Sequence, residues 1–376
     1  MVQGAITLSW VIYNLYLSQL LTQQGFPAGL AAALIVIETG AAVILEPLMG
    51  SLSDQTQRWF GSRFPMVAIG VILASLCFVS IPLSLIAGNP INATRWLLPV
   101  AAVLWAFSMT VFRSPVLSLL GRYAMATQQP QAASILTLVG GVAGALAPLA
   151  SEAILAAGPL ATFLIGSLIM LGSAVVLRST NPDQSSQRTP KAESRRLSPM
   201  PLVATFGTGV GVNLGLQILL VAFAAALDRL TANPNIVMGA VFIAIAALAF
   251  PTGTLARRLG MFQGIAAGLG GLALLSLGSI FIGTLGVAVL LAIAIGGSIS
   301  LMSNCTVPVA LASVPPERAG LGTGLYFGGA ALSASLFNGM IRPAEFSNSG
   351  SMLLAAAAFL FAIALIQPIR QHQLSR

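Results

Sequence analysis

The chain has 376 residues, of which 57% are hydrophobic and only 7% are charged, and its formal net charge is +8. A soluble domain carries roughly 25% charged residues, so this composition excludes a soluble fold and indicates a protein that crosses a lipid bilayer many times. The excess of basic residues is interpreted as a determinant of membrane topology, and we expect no nucleic-acid partner.

Twelve apolar spans are predicted, each long enough to cross the roughly 30 Å hydrocarbon core of a bilayer as a helix. Arg113 with Pro115 interrupts the fourth span and Asn304 with Pro308 the tenth, and prolines in such helices usually mark kinks. The sequence therefore predicts an all-α membrane protein. The spans are residues 4–24, 28–49, 65–87, 96–120, 132–156, 159–178, 200–226, 235–256, 261–283, 285–312, 320–342 and 350–369.

One long polar segment divides the chain near its midpoint. Residues 179–199 are rich in Ser, Gln, Pro and charged side chains, and such a composition cannot form a core. We therefore predict a cytoplasmic linker between an N-terminal six-helix half, residues 1–178, and a C-terminal six-helix half, residues 200–376.

Basic residues cluster in alternate turns between the predicted spans. With both termini in the cytoplasm, only Arg95, Arg229 and Arg342 fall in turns on the opposite side. Because cytoplasmic loops are enriched in Lys and Arg, both termini are predicted to be cytoplasmic. The short loops and tails favour a prokaryotic inner membrane, and a monomer is expected.

The two halves repeat short patterns at corresponding places. A Pro-x-x-Gly-Ser-Leu run begins at Pro47 and a Pro-Thr-Gly-Thr-Leu run at Pro251, while Asn-Leu-x-Leu begins at both Asn14 and Asn213. Two parallel halves related by an axis along the membrane normal are typical of transporters that work by alternating access. The repeat predicts such a transporter without reference to any family.

Catalytic and metal-binding residue types are scarce. The single histidine, His372, lies in the C-terminal tail, which excludes a His-based metal cluster or a Ser/His/Asp triad. No Gly-Lys-Ser/Thr phosphate loop follows the glycine runs. We therefore expect no enzymatic activity, no metal and no cofactor, and an ion gradient as the energy source.

The charged stretch between the second and third spans is the most informative part of the chain, and the sequence predicts a short turn there. Its Gly-x-Leu-x-Asp pattern, followed by Gly and basic residues, resembles the loop between helices two and three of major facilitator superfamily transporters. With Tyr13-Asn14 and Ile-Val-Ile-Glu38, it is most similar to the glycoside/sucrose–cation symporter branch. The stretch reads Glu46-Pro-Leu-Met-Gly50-Ser-Leu-Ser-Asp54-Gln-Thr-Gln-Arg58-Trp-Phe-Gly61-Ser-Arg63-Phe-Pro65.

The resemblance implies twelve helices in two halves around a central cavity, with a gate at its cytoplasmic end. Gly50, Asp54 and Arg63 are expected to form this gate, with Asp54 holding helices two and three to the other half through helix N-termini or basic residues. Glu46 is expected to pair with Arg113 or a loop arginine as part of it. For Arg113, an ion pair with a purely structural role is the alternative.

Glu38, near the middle of the second span, is predicted to carry the coupling proton. The membrane interior disfavours a charged carboxylate, so Glu38 can exchange a proton, and the resembled symporters carry an acid at this place. Two alternatives stay open: a protonated side chain that only bonds a neighbouring helix, and Na⁺ as the coupling ion.

Several other side chains in the spans are candidates for substrate binding. Asn213 and Gln217 share a helix face, amides can bind the hydroxyls of a polar solute, and Trp105 can stack on a sugar ring. The alternatives are hydrogen bonds between helices and aromatic packing. The candidates are Asn14, Trp105, Asn213, Gln217 and Asn304.

Together these features predict secondary active transport of a small polar solute, driven by protons, with a sugar or glycoside as the class that the resemblance implies. One alternative is an exporter of an amphiphilic compound. Another is a non-transporting membrane assembly factor on the same fold, which would tolerate replacement of Glu38.

Overall fold

The computed structural model describes residues 1–27, 29–87, 93–180, 198–340 and 348–374, and these ranges are almost entirely helical and contain no strand. The helices are α1 (Val2–Gln23), α2 (Gly29–Phe60), α3 (Phe64–Ala87), α4 (Leu97–Ser118), α5 (Leu120–Tyr123), α6 (Gln129–Ala156), α7 (Pro159–Ser179), α8 (Pro199–Leu227), α9 (Pro234–Ala247), α10 (Ala249–Leu259), α11 (Met261–Gly278), α12 (Leu285–Ala312), α13 (Ala319–Gly339) and α14 (Asn348–Leu374).

The predicted all-α membrane fold is confirmed. Within the described ranges, nine helices are long and apolar enough to cross a membrane, and α9 with α10 makes a tenth if that bent pair is one span. Helices α1 and α13 have a comparable length of 22 and 21 residues. With α1 and α13 included, the described helices are consistent with twelve spans. The predicted linker lies mostly in residues 181–197, which are outside the described residues.

The eighth predicted span is not one continuous helix. Helix α9 ends at Ala247, α10 begins at Ala249, and the two axes differ by 53°. Pro251 lies in the first turn of α10, where it has no N–H to bind the carbonyl of Ala247 and its ring crowds that oxygen. The proline therefore accounts for the break.

The sequence predicted a turn over residues 46–65. That prediction is wrong in length, because most of the stretch is helical. Helix α2 continues through Pro47 to Phe60, and only Gly61–Arg63 links it to α3. Gly61 has φ +70°, a conformation that favours glycine and ends the helix. Within this helical stretch, the Gly50 backbone and the Asp54 side chain are buried against α13, whereas Arg58, Trp59 and Phe60 at its end are exposed.

Buried apolar side chains form two separate large clusters, one in each half of the chain. The first is built by α1, α2, α3, α4 and α7, and its largest fully buried members include Trp105 and Phe78. The second is built by α8 to α14 and includes Phe223 and Phe359. Each half thus has a core of its own, and the site described below lies where the halves meet.

The closest approach between the halves is made by α2 and α13. A side chain on Gly50 would collide with the backbone carbonyl of Gly320, and one on Gly320 would collide with that of Gly50. Gly339 lies beside Val36 at the far end of the same pair, so the two helices run antiparallel. Only glycine allows this backbone contact at the Gly50 end.

We predict that Gly50→Ala destabilises this interface, since forcing a methyl group into a packed site typically costs about 1–3 kcal/mol. The expected result is a thermal unfolding midpoint several degrees below that of the wild type, measured on the purified protein in detergent. Gly172→Ala is the matched control, because a Cβ at Gly172 meets nothing within 4 Å. Equal midpoints for both variants would contradict the close contact.

Candidate functional site

Asp54 connects the two halves at the end of the bundle where α2 ends and α13 begins. Its Oδ1 accepts hydrogen bonds from Arg63 Nη2 at 2.6 Å and from the Gly320 N–H at 2.9 Å, and its Oδ2 accepts one from the Leu321 N–H at 2.9 Å. The first turn of a helix has free N–H groups and the positive end of the helix dipole. The predicted gate residues Gly50, Asp54 and Arg63 therefore lie together against α13.

Arg63 completes this contact from the link between α2 and α3. Its side chain and that of Asp54 are both almost fully buried. Burial lowers the pKa of the Arg63 guanidinium from its ordinary value, and the Asp54 carboxylate opposes that change. A buried pair of this kind is strongly destabilised when one partner is removed, so the two charges depend on each other.

Glu46 and Arg113 lie deeper in the bundle and also reach the other half. Arg113 Nη1 is 3.7 Å from Glu46 Oε1, and the Ser114 hydroxyl donates to Glu46 Oε2. The Arg113 guanidinium lies over the ring of Phe327 on α13, 4.2 Å from its centroid. Its side chain is 32% exposed, whereas that of Glu46 is 3% exposed. Arg113 is thus the accessible member of the pair.

Glu38 is buried between α2 and α1. The Tyr13 hydroxyl donates to its Oε1 at 2.5 Å, and the residue is only 3% exposed. Its Oε2 is buried and has no hydrogen-bond partner among the described residues, and no ion pair within those ranges involves it. Both interpretations of Glu38 stay open, because Tyr13 can donate to a charged or to a neutral carboxyl group.

Aromatic rings surround this tyrosine. The ring of Trp105 lies 4.4 Å from that of Tyr13, 4.8 Å from that of Trp10 and 5.0 Å from that of Phe78, measured between centroids. Trp105 is 0% exposed, whereas Trp10 is partly exposed. Trp105 is therefore covered by its neighbours, and Trp10 has the more accessible ring of the two.

The amides of α8 bind α13. Asn213 Nδ2 donates to the Ala330 carbonyl at 2.7 Å and to Ser333 Oγ at 3.0 Å. Gln217 Nε2 donates to Ser333 Oγ at 3.3 Å and to the Asn213 carbonyl at 3.5 Å. These residues share a face as predicted, and both side chains are partly exposed. Asn14 on α1 is exposed, and its Nδ2 donates to the Trp10 carbonyl at 2.9 Å.

Asn304 lies apart from the other candidates. It is 0% exposed, and its Nδ2 donates to the Ala249 carbonyl at 3.0 Å and to Thr252 Oγ1 at 2.9 Å. These contacts join α12 to α10 just after the break that follows α9. The structure therefore gives Asn304 neighbours in its own half and does not bring it to Asn213 or Gln217.

The register of α2 against α13 places Glu38 and the α8 amides at one level of the bundle. Ser335 Oγ donates to the Val36 carbonyl at 3.3 Å. Val36 is two residues from Glu38, and Ser335 is two residues from Ser333, which binds both α8 amides. Asn14 follows Tyr13, the partner of Glu38, so it lies at this level too.

Several residues that contact the site residues could not be predicted from the sequence. Tyr13 entered only through the Tyr13-Asn14 pattern of the family resemblance, and the contacts of Ser114, Phe327 and Ser333 were not predicted. Serine and phenylalanine are common in membrane helices and carry no spacing signal that marks these positions. The only available signal was the polar tyrosine hydroxyl in an apolar helix, which requires a hydrogen-bond partner when buried.

The sequence model of the Major Facilitator Superfamily matches residues 1–338 of the chain. The chain belongs to this superfamily. Its members are membrane transporters, which agrees with the helical architecture and with the contact between halves at Asp54. No curated protein sequence matches the chain.

Solved structures with the same fold support this assignment. One is a bacterial homologue of the iron transporter ferroportin in an outward-facing state, with a TM-score of 0.75, 16% identity and 98% of each chain covered. The proton:xylose symporter XylE has a TM-score of 0.69 at 13% identity, covering 97% of this chain and 93% of its own. The transporter FucP in the outward conformation has a TM-score of 0.70 at 13% identity, covering 97% of both chains. These identities establish the fold alone.

We predict that Asp54→Asn loosens the contact between the halves, because a neutral amide forms weaker hydrogen bonds with the α13 N–H groups than a carboxylate does. The readout is the thiol-labelling rate of Thr323→Cys, a fully buried position on α13, in a background where Cys77 and Cys305 are alanine. The loss of one charge-assisted bond should raise that rate about tenfold.

Asp228→Asn is the control for this experiment, since Asp228 is exposed and undergoes the same chemical change. The control should label at the rate of the parent protein. If Asp54→Asn labels no faster than Asp228→Asn, the Asp54 bonds do not hold this end closed.

Proposed function

We propose that this protein moves a small polar solute across the membrane by alternating access, driven by the proton gradient. The observation that carries the proposal is the set of hydrogen bonds that Asp54 accepts from the first turn of α13. They hold the two halves together at one end through a few charge-assisted contacts. Such contacts can break as a unit when the halves rock and the other end closes.

The orientation of this gate follows from the arginines around it. Arg58, Arg178 and Arg318 lie at the ends of α2, α7 and the segment before α13, all at the Asp54 end. Because basic residues favour the cytoplasmic side, we place this end and both termini in the cytoplasm of a prokaryotic cell. The form described is then closed towards the cytoplasm.

Glu38 is the proposed carrier of the coupling proton. Its burial, its single bond to Tyr13 and its unpartnered Oε2 support a group that gains and loses a proton. Glu46 is less suited to this role, because Arg113 and Ser114 already stabilise its charge. Na⁺ is the competing ion, and the experiment below separates the two.

A sugar or glycoside is the solute class that the sequence resemblance favours. One similar structure is a proton:xylose symporter, while another is a homologue of an iron transporter and a third is a human organic anion transporter. The polar residues Asn14, Asn213 and Gln217, with the ring of Trp10, are the proposed contacts of the solute. They lie at the level of Glu38, so a bound solute would be close to the proton site.

We predict that proteoliposomes containing the wild-type protein and a pH-sensitive dye show proton movement when the right solute is added from a panel of sugars, glycosides and amines. Glu38→Gln should abolish that movement, because glutamine cannot carry a proton. Glu152→Gln is the matched control, since Glu152 is exposed, and it should retain the signal.

Each other outcome has a defined meaning. A solute-dependent flux that requires Na⁺ and survives Glu38→Gln contradicts proton coupling. Solute movement only in the outward direction indicates an exporter. Silence across the panel from folded protein, together with a stable co-purifying partner, would contradict transport and favour the assembly-factor alternative.

A further inference from the structure

The three amide side chains at the level of Glu38 all engage their nitrogen and leave their oxygen without a hydrogen bond from the described residues. The NH₂ group of Asn14 binds the Trp10 carbonyl, that of Asn213 binds the Ala330 carbonyl, and that of Gln217 binds the Asn213 carbonyl. A backbone carbonyl can only accept, so these contacts identify the nitrogen of each amide. The three amide oxygens receive no hydrogen bond from any described residue and remain free to accept one.

Glu38 adds a fourth free acceptor in its ionised form, which a bound cation would favour. Its Oε1 is occupied by Tyr13, and its Oε2 is buried without a partner in the described part of the chain. A buried acceptor without a donor is destabilising, and more so when it is charged. This oxygen therefore gains most from a ligand that can donate to it.

Most donors close to these acceptors are engaged or covered, although the Arg113 side chain keeps 32% of its surface exposed. The Arg113 guanidinium is placed by Glu46 on one side and by the ring of Phe327 on the other. The Trp105 N–H has no partner among the described residues, but Trp105 is 0% exposed behind the rings of Trp10 and Tyr13. A ligand at the level of Glu38 thus meets acceptors and very few donors.

This imbalance distinguishes between classes of polar solute. Every hydroxyl of a sugar is a donor and also an acceptor, so a sugar bound here would leave many of its lone pairs without a donor. A primary ammonium group has three N–H donors and no acceptor. It also supplies the positive charge that a buried carboxylate requires.

We propose that the transported solute carries a protonated primary amine, which donates to Glu38 Oε2 and to the oxygens of Asn14, Asn213 or Gln217. The remainder of the solute packs on the accessible ring of Trp10. The inference rests on the proposed transport function and narrows its solute class. An amino sugar satisfies both the amine requirement and the sugar resemblance, whereas a neutral sugar brings no positive charge for Glu38 and leaves its own lone pairs without donors.

The first test is equilibrium binding to the purified full-length protein in nanodiscs, with probes that differ in one group. These are 2-phenylethylamine, its neutral analogue 2-phenylethanol, and the N,N,N-trimethyl-2-phenylethylammonium ion, which has the charge but no N–H donor. The amine should bind at least about tenfold more tightly than either analogue, the factor expected for one hydrogen bond between charged groups. D-glucosamine and D-glucose form a second pair, with the same expected preference for the amine.

Variants then assign the preference to the site. Glu38→Gln should remove most of the tenfold preference for the amine, and Gln217→Met should weaken amine binding by a larger factor than 2-phenylethanol binding. Glu152→Gln should leave all affinities as in the wild type. Thermal unfolding midpoints within a few degrees of the wild type show that the variants are folded, and Asn14→Leu replaces Gln217→Met if that variant unfolds.

The inference is overturned if neither pair shows a preference for the amine, if the trimethylammonium ion binds as tightly as the amine, or if Glu38→Gln keeps the preference. Proton-coupled flux of a neutral sugar without amine binding would overturn the amine inference and leave the transport proposal standing. Amine binding that depends on Glu38 in a protein with no flux of any solute would contradict transport and leave the binding site standing.

Discussion

The contact between the two halves depends on how the charge of one buried carboxylate, at one end of the bundle, is balanced. Asp54 is removed from water, and an ion in a low-dielectric interior is stable only when its charge and hydrogen bonds are satisfied. Arg63 supplies the charge from the same half, but two of the three donors are N–H groups of α13 in the other half. Gly50 and Gly320 allow the backbones to come close enough for these bonds. Compensation of one charge therefore couples the positions of the two halves.

Helix α2 carries three acidic residues at intervals of eight, roughly 12 Å apart along the axis. Glu38 faces α1 through Tyr13, Glu46 faces α4 through Ser114 and Arg113, and Asp54 faces α13. The number of compensating partners decreases from Asp54 to Glu38. The acid with the fewest partners is the one best suited to exchange its partner during a transport cycle, and it lies at the level of the α8 amides.

The two halves repeat a sequence pattern, but they use it differently. The Pro-x-x-Gly run at Pro47 lies inside the continuous helix α2, whereas its counterpart at Pro251 follows a break of 53°. Next to that break, the Asn304 side chain donates hydrogen bonds to the Ala249 carbonyl and to Thr252 Oγ1. Asn304, which the sequence suggested as a substrate ligand, is therefore fully buried beside the break, whereas Asn213 binds α13 and stays partly exposed.

The sequence by itself determined the membrane-spanning helices, because the thickness of the bilayer sets the length of an apolar run and each helix satisfies its own backbone. It also indicated the superfamily through the Gly-x-Leu-x-Asp pattern, with Asp54 as a gate residue of the resembled loop, and it singled out Glu38 as a costly charge in apolar surroundings. Only the tertiary structure decided where α2 ends and what those acids bind. Their partners lie 25 residues away for Glu38 and up to 267 residues away for Asp54. Packing between helices brings such residues together, and no local pattern in the chain records it.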